Sequence, residues 1–132
     1  MDTGILLAAL DADDRHHRAA NAILSLPDIK IVPEPVVVET DWMIQRALGV
    51  TEEIAFLSGL QGETLAVEAT SRSDRTRAAE LVARYRDARI GYVDAAAVAI
   101  AERLKERRIA TLDRRHFSMI RPRHVEAFEL LP

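Results

Sequence analysis

Two rhythms of apolar residues alternate along the chain. An unbroken apolar stretch from Ile5 to Leu10 follows Asp2-Thr3-Gly4. Ala19, Ala20, Ile23 and Leu24 fall on one side of a helix, which predicts a helix over 15–26. Pro27-Asp28 makes a turn, and residues 29–32 form a short apolar strand. Pro33-Glu34-Pro35 opens a helix, because proline is tolerated in a first turn; it runs through Trp42 to about Leu48, where Gly49 ends it. Thr51, Glu53 and Ile54 start another helix, reaching about Leu60, and residues 64–67 read as a strand. Ser71 or Ser73 can cap a helix that carries Ala79, Val82 and Tyr85. Asp94 opens a long helix with Ala97, Ile100, Ala101 and Leu104 at helical spacing; residues 109–112 and 127–131 supply the last strands. Trp42, between apolar helical neighbours, is expected in the core, and Ile54, Leu57 and Leu60 on a packing or dimer face.

Strands alternate with helices, and the connections are too long for hairpins. That pattern predicts one α/β domain over 1–132 with a mainly parallel sheet, in which ligands bind outside the carboxyl ends of the strands. Four strands are visible. Only Met1 precedes Asp2, so either the first strand, ending there, is a truncated stub or the true start lies upstream. No apolar run reaches membrane-spanning length and no signal stretch opens the chain, which points to the cytoplasm. The absence of cysteine excludes disulfides, thiolate catalysis and cysteine-type zinc sites.

Charge is unevenly distributed. Residues 1–69 hold 4 Lys+Arg against 12 Asp+Glu, a balance of −8; residues 70–132 hold 14 against 9, a balance of +5, and the two sum to the net −3. Arginine supplies 16 of the 18 basic residues, which suits bidentate phosphate contacts but also follows from GC-rich coding. Arg72, Arg75 and Arg77 read better as a solvated face than as an RNA contact.

Four acidic residues stand where solvation does not explain them. Asp113 directly follows the strand over 109–112, and Asp2 sits just before an apolar run. Asp94, at a helix start, has Ala97, Val98 and Ala101 as neighbours. Glu39 lies among Pro35, Val36, Trp42 and Met43. Alone, Asp94 is explained by helix capping, Asp113 by a turn and Asp2 by a solvated terminus. Converging carboxylates repel one another unless a cation neutralises them, and an all-oxygen donor set suits Mg²⁺ or Mn²⁺ rather than Zn²⁺. A single Asp-Thr-Gly followed by helical periodicity excludes an aspartic protease. The four histidines lack zinc-ligand spacing, and there is neither a nucleophile elbow nor a glycine-rich phosphate loop.

The motifs Asp2-Thr3-Gly4, Pro35-Val36-Val37-Val38-Glu39, Gly91-Tyr92-Val93-Asp94-Ala95-Ala96 and Thr111-Leu112-Asp113-Arg114-Arg115-His116-Phe117 resemble, in order and spacing, those of VapC-type PIN domains. The ending Phe128-Glu129-Leu130-Leu131-Pro132 matches too, so the resemblance covers essentially the whole chain. It implies a three-layer α/β sandwich with a mainly parallel sheet of about five strands. It places Asp2, Glu39, Asp94 and Asp113 on the family's four acidic positions, where one or two Mg²⁺ or Mn²⁺ ions activate water against an RNA phosphodiester. Thr3 and Thr111 match positions whose hydroxyls support the carboxylates, and Arg114 and Arg115 are candidate RNA contacts. Such toxins cut tRNA or a 23S ribosomal RNA loop, form dimers, and are silenced by a VapB-type antitoxin. Many relatives carry a fifth acidic residue two positions after the fourth; here it is Arg115. The competing reading is a catalytically weak PIN-like protein that acts mainly by binding antitoxin or RNA.

Overall fold

The computed structural model describes residues 1–132. Helix α1 (Thr3–Leu10) and helix α2 (His17–Leu24) lead into strand β1 (Lys30–Pro33). Helix α3 (Glu34–Ala47), helix α4 (Val50–Gly59) and strand β2 (Leu65–Glu68) follow. Next come helix α5 (Arg72–Arg84), a 3₁₀ turn over Arg86–Ala88 and helix α6 (Tyr92–Leu104). Strand β3 (Arg108–Ala110), helix α7 (Arg114–Met119) and strand β4 (Glu129–Leu131) complete the chain. Gly49, at φ 112°, stops the run from α3 and begins α4, a backbone conformation that disfavours a side chain.

Two parallel strand pairs form, β1 with β2 and β3 with β4. Met1 and Asp2 lie between them. The Met1 nitrogen donates to the Ile31 carbonyl at 2.9 Å, and the Asp2 amide donates to the Ala110 carbonyl at 2.9 Å. The expected five-stranded sheet is therefore present as four strands, with a two-residue stub in the central place.

Helices cover both faces. Successive residues of a strand point to opposite sides. In β3, Ile109 packs with Ala95, Val98, Leu81 and Phe117, whereas its neighbour Ala110 packs with Ile5, Ala8, Ala20 and Ile23. Helices α5 and α6 thus belong to one layer and α1 and α2 to the other. A third group, Leu6, Val32, Val36, Ile44 and Phe56, joins α1, β1, α3 and α4.

Three sequence expectations change. Trp42 is not in the core: it is 58% exposed, with the Arg46 guanidinium stacked 4.8 Å from its ring centre. The buried stripe of α3 is instead Val36, Thr40 and Ile44. Helix α5 buries Ala78 and Leu81, leaving Ala79 exposed and Val82 and Tyr85 half-buried. On α4, Ile54 and Leu57 are exposed as a packing face would be, but Leu60 leans on the core and Val50 takes its place in the stripe.

Much of the positive charge of the second half is used internally. Arg77, far from being solvated, holds the buried Glu102 through Nε at 2.8 Å and a second nitrogen at 3.0 Å. Arg103 binds Asp74 at 3.0 Å and Glu68 at 2.9 Å. Asp74 also closes a capping box with Ser71 at the start of α5. Burial alone would raise the Asp74 pKa, but the hydrogen bonds from Arg103 and Ser71 outweigh it and hold the carboxyl below its ordinary range. No helix is long and apolar enough to cross a membrane.

Candidate active site

Each of the four acidic residues comes from a different stretch of chain, and the fold brings them to one open cleft of about 520 Å³. Asp2 leaves the central stub and caps α1, its Oδ1 accepting from the Thr3 amide at 2.8 Å. Glu39 projects from the second turn of α3. Asp94 is the third residue of α6 and not its cap; Gly91 holds that position. Asp113 follows β3 and caps α7, accepting from the His116 amide at 3.0 Å. Thr3, Gly4 and the apolar Leu7, Met43 and Leu112 complete the wall.

The two threonines hold the carboxylates in place. Thr3 Oγ1 donates to Glu39 Oε2 at 2.6 Å. Thr111, fully buried, donates its hydroxyl to Asp2 Oδ2 at 2.7 Å and accepts from the Asp113 amide at 2.9 Å. One hydroxyl therefore sets the positions of two acidic residues that lie on separate elements.

The electrostatics are those of crowded anions. Asp94 is pushed up to about 6, first by burial and then by the charge of Asp2; His116 opposes the shift. Burial also raises Asp2, against hydrogen bonds from Thr111 and Thr3, and Glu39 adds to the rise. A helix N-terminus should favour a charged Asp94, so the upward shift shows that desolvation and crowding dominate. No lysine or arginine lines the cleft. Arg114 donates instead to the Pro132 carbonyl, and Arg115 is exposed outside the cleft.

Sequence reasoning passed over His116. Its Nδ1 lies 3.1 Å from Asp94 Oδ2 and 3.0 Å from Asp113 Oδ2. The available signal was its spacing from Asp113, three residues along a short helix, which puts both on one side. Hard oxygen donors gathered without an arginine or lysine fit a divalent cation such as Mg²⁺ or Mn²⁺.

This crowding makes a measurable prediction. With a pKa raised from 3.8 to about 6, Asp94 binds its proton more tightly in the folded protein than in the unfolded chain. Its contribution to stability is present below about pH 4 and is lost as pH rises through about 6, a change on the order of 3 kcal/mol. In metal-free buffer the melting temperature of the wild type should therefore fall relative to that of Asp94→Asn across this window. Millimolar Mn²⁺ at pH 7 should recover the loss. Parallel melting curves for the two proteins would refute the electrostatic account.

A PIN domain family model matches residues 1–121. Ribonuclease VapC26 of Mycobacterium tuberculosis is 38% identical over 133 residues, an alignment that takes in 100% of this chain and 98% of that protein. The crystal structure of VapC20 from the same organism, described as a sarcin–ricin loop cleaving toxin, superposes with a TM-score of 0.75. That match covers 81% of this chain and 83% of VapC20 at 22% identity, so it speaks to the fold. A family match along nearly the whole chain, together with a full-length relative at 38% identity, establishes that the chain belongs to the PIN domain family, in its VapC branch.

Proposed function

We propose that this protein is the toxin of a type II toxin–antitoxin pair and a divalent-metal-dependent endoribonuclease, a single PIN domain acting in the cytoplasm on structured RNA. The observation that carries this reading is the meeting of four carboxylates, from four separate segments, in a cleft that no lysine or arginine lines. The likeness to a protein named as a ribonuclease supports the choice of RNA.

In this reading Asp2, Glu39, Asp94 and Asp113 hold the ion. Bound there, Mg²⁺ or Mn²⁺ supplies an activated water and stabilises charge on the phosphodiester. Thr3 and Thr111 keep the ligand oxygens from swinging, so little reorganisation is needed when the reaction begins. Leu7, Met43 and Leu112 shield part of the cleft from water. Arg114 and Arg115, on the helix that starts at Asp113, are the candidates to meet phosphates leading away from the cut.

Purified protein should cleave total bacterial RNA with added Mg²⁺ or Mn²⁺, and a chelator should stop it. Cleavage that persists with the chelator would rule out the metal centre. Intact RNA under every ion tested would favour a protein that works by binding.

The partners proposed with this function are an antitoxin of the VapB type and a second copy of the chain. Supporting both is an exposed apolar stripe on α4, Val50, Ile54 and Leu57, with Val38 and Trp42 exposed on α3. Light scattering at micromolar concentration should give twice the 14.7 kDa chain mass. Ile54→Glu should return it to the monomer, and a wild-type monomer would contradict the dimer.

A further inference from the structure

We propose that His116 is itself a ligand of the bound ion through Nδ1, so that Asp94, Asp113 and His116 make a mixed oxygen–nitrogen site that prefers Mn²⁺ to Mg²⁺. This rests on the metal-centre reading of the cleft. The ligand atoms of these three residues all lie within 4.8 Å of one another. Nδ1 is 3.1 Å from the Asp94 oxygen and 3.0 Å from the Asp113 oxygen. In six-coordination, neighbouring ligands bonded at about 2.1 Å stand roughly 3.0 Å apart, so the nitrogen is already spaced from each of the two oxygens as from a neighbouring ligand of one ion.

The position of the ring is determined by the fold. Asp113 caps α7 through the His116 amide, and the next residue, Phe117, is 1% exposed and anchors the helix in the core. His116 is thereby turned toward the acidic pair while Arg115 stays outside. A nitrogen donor beside two carboxylates alters ion preference. Mg²⁺ strongly favours hard oxygen donors, whereas imidazole nitrogen is a better ligand for transition metals.

Pulsed electron paramagnetic resonance on the wild-type protein loaded with Mn²⁺ should show nitrogen coupling from a directly bound imidazole, and His116→Ala should lose it. By calorimetry, His116→Ala should bind Mn²⁺ about tenfold more weakly with Mg²⁺ affinity little changed. His116→Asp should shift the preference back toward Mg²⁺. Bound Mn²⁺ without nitrogen coupling in the wild type, which requires no variant to fold, would overturn the assignment. So would an unchanged Mn²⁺-to-Mg²⁺ affinity ratio in a His116→Ala protein that melts as the wild type does. If the wild type binds neither ion, the metal centre itself falls, and His116 as ligand falls with it.

Discussion

Asp94→Asn is expected to lower RNA cleavage by about a hundredfold or more while the fold stands. Asparagine keeps the shape of the side chain at the third position of α6, where Asp94 is not the helix cap. What it removes is the negative charge, and with it one anionic oxygen of the proposed metal site. Asp94 is also raised to about 6, so its charge at neutral pH is a cost to the metal-free fold. The variant should therefore melt at the wild-type temperature or a few degrees above it in chelator at pH 7. Loss of activity together with retained or increased stability separates a functional group from a structural one. A variant that still cleaves RNA at the wild-type rate would remove Asp94 from the mechanism.

The opposite combination is expected at the far end of the same helix. Glu102→Gln should cost about 3 kcal/mol and lower the melting temperature on the order of 10 °C. Glu102 is buried between α5 and α6, takes two hydrogen bonds from Arg77 and accepts a third from the Arg123 amide at 3.0 Å. Glutamine retains an oxygen but no charge, leaving Arg77, itself only 11% exposed, with the more solvent-exposed Glu80 as its remaining ion partner. Eight residues of helix, about 12 Å, separate Glu102 from Asp94. Cleavage measured below the transition should therefore stay near wild type. A thermal melt that does not move would mean that the pair contributes nothing net to stability.

The fold could be read from sequence where the apolar spacing was long and its ends were punctuated. Helix α3, between Pro35 and Gly49, and helix α6, with its run of buried alanines, were both legible for that reason. The errors share a physical origin: spacing names a helix but not which of its faces meets the rest of the protein. Helix α3 turns Val36, Thr40 and Ile44 inward, so Trp42 and Val38 face out despite their apolar neighbours. In α5 the buried positions lie one residue before the expected ones, at Ala78 and Leu81. Helix α7 has only six residues, too few for a periodicity, and His116 was passed over with it. Among the acidic residues Glu39 was out of place locally, on an apolar helix face, whereas Asp2, Asp94 and Asp113 each had a local explanation and were singled out by the order of the motifs that carry them. Their meeting was not legible, because nothing local places residue 2 beside residue 113; that is set by the seating of Asp2 between β1 and β3.

The hydrogen bond from Thr111 to Asp2 spans 109 positions of chain. Residue 2 is made well before residue 113, so a growing chain carries no complete cleft until β3 has been made and has docked beside Asp2. Contacts this distant in sequence close late, after the local helices have formed. The acidic cleft therefore assembles only once the chain through Asp113 has been made.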